Sequence, residues 1–436
     1  MGKRKIYERN RVYSFFKYYV MFVYRLSYGK REYYGIEKIP KDQAIIYTPN
    51  HTSALMDAFA VLDIDVKPKV FVARADIFKN PLFAKVLFFL RGMPINRIRD
   101  GRNALKENDE VIKLSAEVLK NNVPFVIAPE GTHRPMHSLL PFGKGVFRIA
   151  LLANEELQGE KQVYIVPVGL EYGSFFRYRT SLLVQVGDPI NVTQFVAENP
   201  DMAFPVVMNH LKDMLYEALK ELILYIPDDK NYPAVWELCS LSCHKRIKQL
   251  GLKTNCLKDR LKANKHTVQK VLEKQQSDPQ TSENILQEIA RFSTLRNKKG
   301  ISMASVANPA PGVALFTRIP LLVVLFPYFL ICTVLASPTL LITYAICSQM
   351  KDKAFHNSVR YVVTLLLWTL TVLVLIPVLF ALIPWQLALI LLLAGLPAPF
   401  IFYQYYKWFR IARSNTKWLL SKELRQDKER FVEWVL

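Results

Sequence analysis

The spacing of hydrophobic positions divides this chain of 436 residues into regions of different rhythm. From Gly35 to about Val192, short apolar runs alternate with longer stretches in which apolar residues recur every three or four positions. AIIY (44–47), KVFVA (69–73), PFVIA (124–128), VYIVPV (163–168) and LLVQV (182–186) have the length and composition of strands, whereas 54–62, 81–89, 105–120 and 145–153 carry helical spacing. Such alternation predicts an α/β fold with a mostly buried sheet. One more amphipathic helix follows from Phe204 to Tyr225, stopped at Pro227-Asp228-Asp229, so that a first domain spans about residues 35–230.

Residues 231–317 are rich in Lys and Gln and helical in pattern, with a break near Ser277-Asp278-Pro279; they read as a small helical subdomain or as a charged coil over a membrane. Beyond them, neither Ile319–Met350 nor Tyr361–Tyr406 contains an Asp, Glu, Lys or Arg. Both exceed the roughly 18–20 apolar residues that span a bilayer core, so 318–410 is expected to hold transmembrane or re-entrant helices, followed by a basic tail at 411–436. The first run has about 32 residues with Pro320, Pro327 and Pro338 inside it, which favours a re-entrant or tightly bent hairpin. The second has room for two spans turning near Pro384-Trp385, and a plain three-span arrangement stays open. Basic flanks at Lys298, Lys299, Arg318, Lys351, Lys353, Arg360, Lys407, Arg410 and Arg413 prefer the cytoplasm.

Charge enters against this background. A net +21 and a pI near 9.6 suggest nucleic acid in a soluble protein, but no nucleic-acid motif accompanies them here. In an integral membrane protein the same charge serves anionic lipid headgroups and acidic substrates. Residues 1–34 combine cations (Arg9, Arg11, Lys17, Arg25, Lys30, Arg31) with aromatics, as in a helix lying in the interface with its cations on phosphates; the first helix of a globular domain is the other reading. Cys239, Cys243, Cys256, Cys332 and Cys347 form no disulfide framework, which fits a reducing, cytoplasmic setting.

Candidate chemistry begins at TPNHTSALMDAFA, residues 48–60. Ser53 is the expected N-cap of a helix starting at Ala54, leaving Asn50 and His51 in the loop and Asp57 in the first turn, from which its carboxylate can reach back. An aspartate on one imidazole nitrogen fixes the tautomer and raises the basicity of the other, which suits deprotonation of a hydroxyl. The alternative is structural: His51 ends a strand and Asp57 favours the helix N-terminus by its charge.

RGMPINRIRDG (91–101) presents Arg97 and Arg99 in an extended segment, able to clamp a phosphate or to form a solvated charged strand. FVIAPEGTHR (125–134) ends a buried strand in a glycine loop, where α/β sheets bind ligands, and Lys144 precedes a helix start in LPFGKGVFRIAL. In VPVGLEYG (166–173), Pro167 follows a strand and starts a turn. His133 and His137 read as solvated or facing headgroups. Cys239, Cys243 and His244 lack a second pair at finger-like spacing, so no metal site is expected.

In this order and at these separations, the four segments resemble the signature of the glycerolipid acyltransferase family, which includes glycerol-3-phosphate and 1-acylglycerol-3-phosphate acyltransferases; the resemblance covers about residues 35–195. It implies that His51 is the general base on an acceptor hydroxyl and Asp57 its orienting partner. It also implies substrate-binding roles for Asn50, Arg97, Glu130, Gly131, Thr132, Arg134 and Lys144, with Pro167 linked to the acyl-donor side. Two departures matter: five residues separate His51 from Asp57 where four are usual, and His133 stands where an arginine is expected.

The function so implied is O-acylation of glycerol 3-phosphate or lysophosphatidic acid in phospholipid biosynthesis. The enzyme would be membrane-bound, with its active domain at the cytoplasmic face. No cofactor is expected; the acyl thioester, acyl-CoA or acyl-carrier protein, is a co-substrate. Dihydroxyacetone phosphate or a lyso-aminolipid as acceptor, and an inactive lipid-binding scaffold, are the alternatives.

Overall fold

A run that is apolar without alternation belongs inside a sheet, and AIIYTP (44–49) is buried there at every position. The computed structural model describes residues 5–8, 10–96 and 102–436. They fall into two compact units: Met1–Ile223 with Lys351–Ser358, and Leu224–Met350 with Val359–Leu436.

In chain order the first unit contains α1 (Arg11–Leu26), β1 (Tyr28–Tyr34), β2 (Ala44–Pro49), α2 (Leu55–Leu62), β3 (Val70–Arg74), α3 (Pro81–Phe89), β4 (Gly92–Ile95), α4 (Arg102–Lys120), β5 (Phe125–Val126), α5 (Gly145–Leu157), β6 (Val163–Tyr172), β7 (Thr180–Val186), β8 (Ile190–Asn191), α6 (Val192–Glu198) and α7 (Phe204–Leu222). The sheet runs β1-β7-β6-β2-β5-β3-β4, with β8 also on β6. β6 is antiparallel to β7 and β8, and every other pairing is parallel. This is the mixed α/β domain expected from the alternation. Because β2 and β5 are parallel neighbours, the loops that follow them, carrying His51 and Glu130, leave the same edge of the sheet.

Three expectations for this unit are corrected. The N-terminal helix covers only Arg11–Leu26, and Tyr28–Tyr34 joins the sheet as an edge strand whose Tyr, Arg and Glu side chains suit a half-exposed position. Most of the cations assigned to lipid phosphates are engaged within the protein: Arg25 and Arg31 bind Asp63, Lys30 binds Glu32, and Lys17 donates to the carbonyls of Val66 and Lys67. Arg9 lies outside the described residues. α1 buries Tyr13, Met21, Val23 and Tyr24 yet exposes Val12, Phe15, Phe16, Tyr18 and Phe22. It is thus a domain helix with an apolar outer face.

Pro167, the third correction, lies inside β6 rather than in a turn after it. On one side of that strand the partner changes from β8, at Tyr164 and Ile165, to β7, at Val168, and Pro167 sits in the gap, where the missing N–H breaks no ladder bond. Two residues on, Gly169 lies against the end of α7. A Cβ there would stand 2.5 Å from Leu222 Cβ and 2.9 Å from its carbonyl oxygen. Gly169→Ala is therefore expected to destabilise the first unit by about 2 kcal/mol, seen as a lower Tm in detergent with the second unit's transition unchanged.

The second unit is helical: α8 (Tyr232–Gln249), α9 (Leu257–Ser277), α10 (Pro279–Lys298), α11 (Met303–Val306), α12 (Pro311–Gln349), α13 (His356–Val363, whose first turn belongs to the first unit), α14 (Thr369–Leu382), α15 (Trp385–Gly395), α16 (Ala398–Leu420) and α17 (Lys422–Val435). The Lys-rich stretch is a packed subdomain of α8, α9 and α10 rather than a loose coil. Arg296 and Glu237 form a buried two-point ion pair at its centre, with Nη2–Oε2 2.7 Å. The expected basic tail is a continuation of α16 and then α17, which buries Leu424, Phe431, Val432 and Val435. Apolar residues at that spacing form one helix face, and that face needs a partner.

The first apolar run is one continuous helix, α12, not a hairpin. Three prolines disfavour a helix in water, whereas in a bilayer core a backbone has no partner other than the helix itself. α16 packs along it, with Tyr405 stacked on Phe329 at 4.1 Å and its hydroxyl donating to the Leu322 carbonyl. Pro311–Gln349 and Lys353–Leu382 are long and apolar enough to cross a membrane. Trp385–Gly395 with Ala398–Leu420, bent by 42°, would be a third if the pair counts as one span. The second run does turn at Ile383-Pro384.

Candidate active site

The edge shared by β2 and β5 gathers the titratable groups. Asn50, the first residue after β2, is buried, and its side chain closes a ring with one residue of β6: the amide donates to the Leu170 carbonyl at 3.1 Å and its oxygen accepts the Leu170 N–H at 2.7 Å. These bonds occupy both ends of the amide. Asn50 therefore anchors the loop.

His51 follows, its side chain one quarter exposed, with Nδ1 2.8 Å from Asp57 Oδ2. The same carboxylate oxygen accepts the N–H groups of Thr52 and Ser53 at 2.9 and 2.8 Å, and Oδ1 accepts the Tyr172 hydroxyl at 2.7 Å. A carboxylate held by four donors cannot turn away from the imidazole. Ser53 is not the N-cap; that position belongs to Ala54, with φ 49° and ψ −121°. This positive-φ alanine lies between His51 and Asp57, and such backbone strain costs on the order of 1–3 kcal/mol.

The second loop is tied to the first through the His51 backbone. Glu130 Oε1 accepts the His51 N–H at 2.8 Å, Oε2 accepts the Leu140 N–H at 3.0 Å, and the Arg134 N–H donates to the His51 carbonyl at 3.0 Å. Glu130 thus braces the backbone of His51. Gly131 has φ +65°, which a residue with a Cβ rarely adopts, and Thr132 beside it is exposed. Arg134 Nη2 donates to Ser138 Oγ. Gly143 N–H donates to the Pro129 carbonyl, which folds the loop back on itself, and Lys144 stands exposed at the N-cap of α5. Pro167 is buried in register with Thr48 of β2. Arg97 and Arg99 lie outside the described residues.

Two histidines expected in solvent are held inside. His137 is buried, with Nδ1 3.2 Å from Glu171 Oε2, and its ring lies 4.9 Å from that of Phe175. His133 is 14% exposed, with Nε2 2.7 Å from Asp352 Oδ2. Tyr172 and Asp352 had no place in the sequence reading. Strand alternation after Pro167 puts Tyr172 on one face with Val168 and Leu170, a signal that was available; for Asp352, 219 residues from its partner, there was none.

Burial pulls the His51 pKa down, but the Asp57 hydrogen bond, the Asp57 charge and the Glu130 charge together outweigh it and hold the imidazole above its ordinary value. Burial likewise pushes Glu130 up to about 7, against the opposing pull of the Leu140 and His51 N–H groups and the His51 charge. Both shifts have the same sign for stability: each group's contribution is full below its unfolded pKa and is lost as pH rises through the folded one. For Glu130 that window runs from about 4.5 to about 7. A glutamine at 130 accepts one of the two N–H groups and turns its own NH₂ on the other. We expect Glu130→Gln to lower the maximal turnover roughly tenfold and, by removing a charge that raises His51, to move the acid limb of the pH–rate profile to lower pH.

Beyond its geometry, the domain has relatives. Residues 30–171 match the family described as "Acyltransferase". A 1-acyl-sn-glycerol-3-phosphate acyltransferase of Cocos nucifera is 29% identical over 171 residues, 39% of this chain and 51% of the relative. A chloroplastic 1-acyl-sn-glycerol-3-phosphate acyltransferase of Brassica napus is 30% identical over 122 residues, 28% and 33% of the two chains. The chain thus spans about half, or less, of the length of these relatives. Among solved structures, the 1-acyl-sn-glycerophosphate acyltransferase PlsC of Thermotoga maritima aligns with a TM-score of 0.36 and 21% identity over 49% of this chain and 83% of that one.

Proposed function

We propose that the protein, whose residues 30–171 match the acyltransferase family, transfers a fatty acyl chain from a thioester to a hydroxyl of a phosphorylated glycerol acceptor, glycerol 3-phosphate or lysophosphatidic acid. The observation that carries this reading is the His51–Asp57 pair: Nδ1 is held by a buried carboxylate, and no described residue bonds Nε2.

In this mechanism Nε2 takes the hydroxyl proton as the oxygen attacks the thioester carbonyl. Asp57 stabilises the imidazolium that results. The tetrahedral intermediate collapses with cleavage of the C–S bond, and the imidazolium returns its proton to the leaving thiolate, so no covalent enzyme intermediate is needed. A positioned base contributes roughly 10²–10⁴ in rate, and co-binding of donor and acceptor can contribute as much again.

The donor in this reading is acyl-CoA or acyl-carrier protein, and the basic surface suits either. Exposed Phe15, Phe16 and Phe22 on α1 and Val86 and Phe88 on α3 would rest in the lipid interface. Lys351 and Lys353 belong to the first unit, and in this reading that unit faces the cytoplasm.

The test is acyl transfer by the full chain in anionic vesicles, with labelled acyl-CoA or acyl-carrier protein offered to glycerol 3-phosphate, lysophosphatidic acid, glycerol and monoacylglycerol in parallel. Product from a phosphorylated acceptor, at least tenfold over its phosphate-free counterpart, is the expected result. Equal acylation with and without phosphate, or no product from any acceptor, overturns the reading.

A further inference from the structure

Strand β6 supports the His51 loop at two alternate positions. The Leu170 backbone holds the Asn50 side chain, and further along the same strand the Tyr172 hydroxyl donates to Asp57 Oδ1 at 2.7 Å. The other contacts of that carboxylate, from His51 Nδ1 and from the Thr52 and Ser53 N–H groups, all fall on Oδ2. Among the described residues Tyr172 is therefore the one donor to Oδ1, and the one donor from outside the loop. Its ring is fixed by a buried aromatic wall. Tyr28 of β1 and Phe175 each lie 6.3 Å from it, Tyr24 of α1 lies 5.2 Å from Tyr28, and Phe59, on the same helix as Asp57, lies 5.8 Å from Tyr24. Burial and then the Asp57 charge push the Tyr172 phenol well above its ordinary pKa, so the hydroxyl stays a donor throughout the range of a pH–rate profile.

We propose that Tyr172 is a positioning residue that restrains the base: by drawing the Asp57 charge toward Oδ1, its hydroxyl keeps the His51 imidazole neutral where it must accept a proton. The proposal rests on the reading of His51 as the base. Two carboxylates, Asp57 and Glu130, favour the imidazolium, and an imidazole that already carries the proton cannot take another from a hydroxyl. A donor on the far oxygen of Asp57 works against them. Its bond stabilises the carboxylate there, and the positive end of its dipole opposes a second positive charge on the neighbouring ring. The same bond fixes the rotation of the carboxylate, so one side chain both places and tempers the pair.

The charged and titratable groups around His51 are Asp57 on α2 and, on the loop after β5, Glu130 and His133, the last paired with Asp352. Behind Tyr172 stand Tyr28 and Tyr24. Tyr172→Phe removes the hydroxyl and keeps the ring in its wall. In vesicles carrying the full chain, with the acceptor that the wild type acylates, we expect the acid limb of the kcat profile to move up by about one pH unit, a roughly tenfold loss of rate well below the limb. On the plateau kcat should stay within about threefold and the acceptor KM within about twofold, because the Thr52 and Ser53 N–H groups still hold Asp57 against His51. The direction is opposite to that expected for removing the Asp57 charge itself, which moves the limb down.

Two further proteins separate this role from a packing role. A chain with 3-fluorotyrosine at position 172 keeps the hydroxyl and makes it a stronger donor, so its limb should move down. Tyr28→Phe takes a hydroxyl from the same wall that makes no described bond to Asp57, and its limb should stay at the wild-type position. A limb that does not move in Tyr172→Phe, one that moves down, or one that moves equally in Tyr28→Phe overturns the inference. So does a loss of plateau activity that follows the Tm without displacing the limb. If Tyr172→Phe does not fold, the fluorotyrosine protein decides, and an unmoved limb there overturns the inference. His51→Ala run alongside keeps the two claims apart. Activity that depends on His51 but ignores the Tyr172 hydroxyl defeats only this inference; activity that ignores His51 defeats the base assignment and this inference together.

Discussion

His51→Ala is expected to lower kcat for acyl transfer by roughly 10²–10⁴ while leaving the acceptor KM and the Tm close to wild type. The small structural cost follows from the bonding. The ring is one quarter exposed and its hydrogen bond is to Asp57, whereas the bonds that hold the loop use the backbone N–H and carbonyl of residue 51, which alanine retains. Asp57 keeps the Thr52, Ser53 and Tyr172 donors, so its buried carboxylate is not orphaned. The measurement is steady-state transfer of labelled acyl chains in lipid, with a melting curve on the same preparation. A loss of activity that tracks a loss of folded protein would count against the base assignment.

Asp57→Asn should have the other large effect, and by a different route. Its charge is a principal reason that the His51 pKa stands above its ordinary value. Without that charge the acid limb of the kcat profile, which follows loss of the imidazole proton, should move to lower pH. The plateau should nevertheless fall roughly 10²-fold or more, because the imidazolium formed during attack has lost its counter-ion and the amide can present a donor to Nδ1. Stability should fall as well, by about 1–3 kcal/mol, since an amide cannot satisfy four donors. Two readouts moving in opposite senses, a lower apparent pKa with a lower plateau, distinguish this from simple unfolding. A pH profile unchanged in position would show that Asp57 does not set the basicity of His51.

The sequence carried the parts of this account that depend on local pattern. AIIYTP, VYIVPV and LLVQV are strands because their side chains are apolar at successive positions, and the helices at 81–89 and 204–222 follow their own spacing. His51 and Asp57 were readable as a pair because one loop and one helical turn bring them together. What was not readable depends on the rest of the chain. The strand character of Tyr28–Tyr34 comes from pairing with β7, about 150 residues away. The bonding of Asn50 and of Glu130 to backbone groups of other segments gives both a bracing task that local pattern does not reveal. The positive φ of Ala54 runs against the preference of alanine, so nothing in the residue type announces it. In the apolar region, three prolines suggested a hairpin, yet α12 runs on as one helix with α16 packed along it.

The central claim, that His51 removes the proton from the hydroxyl of a phosphorylated acceptor, is tested most directly by measuring acyl-product formation by wild type and His51→Ala in the same vesicles, with glycerol 3-phosphate and lysophosphatidic acid. The account predicts product from wild type with at least one of the two acceptors, and a variant at least a hundredfold slower with its fold intact. A folded His51→Ala protein that transfers acyl chains at the wild-type rate would contradict it.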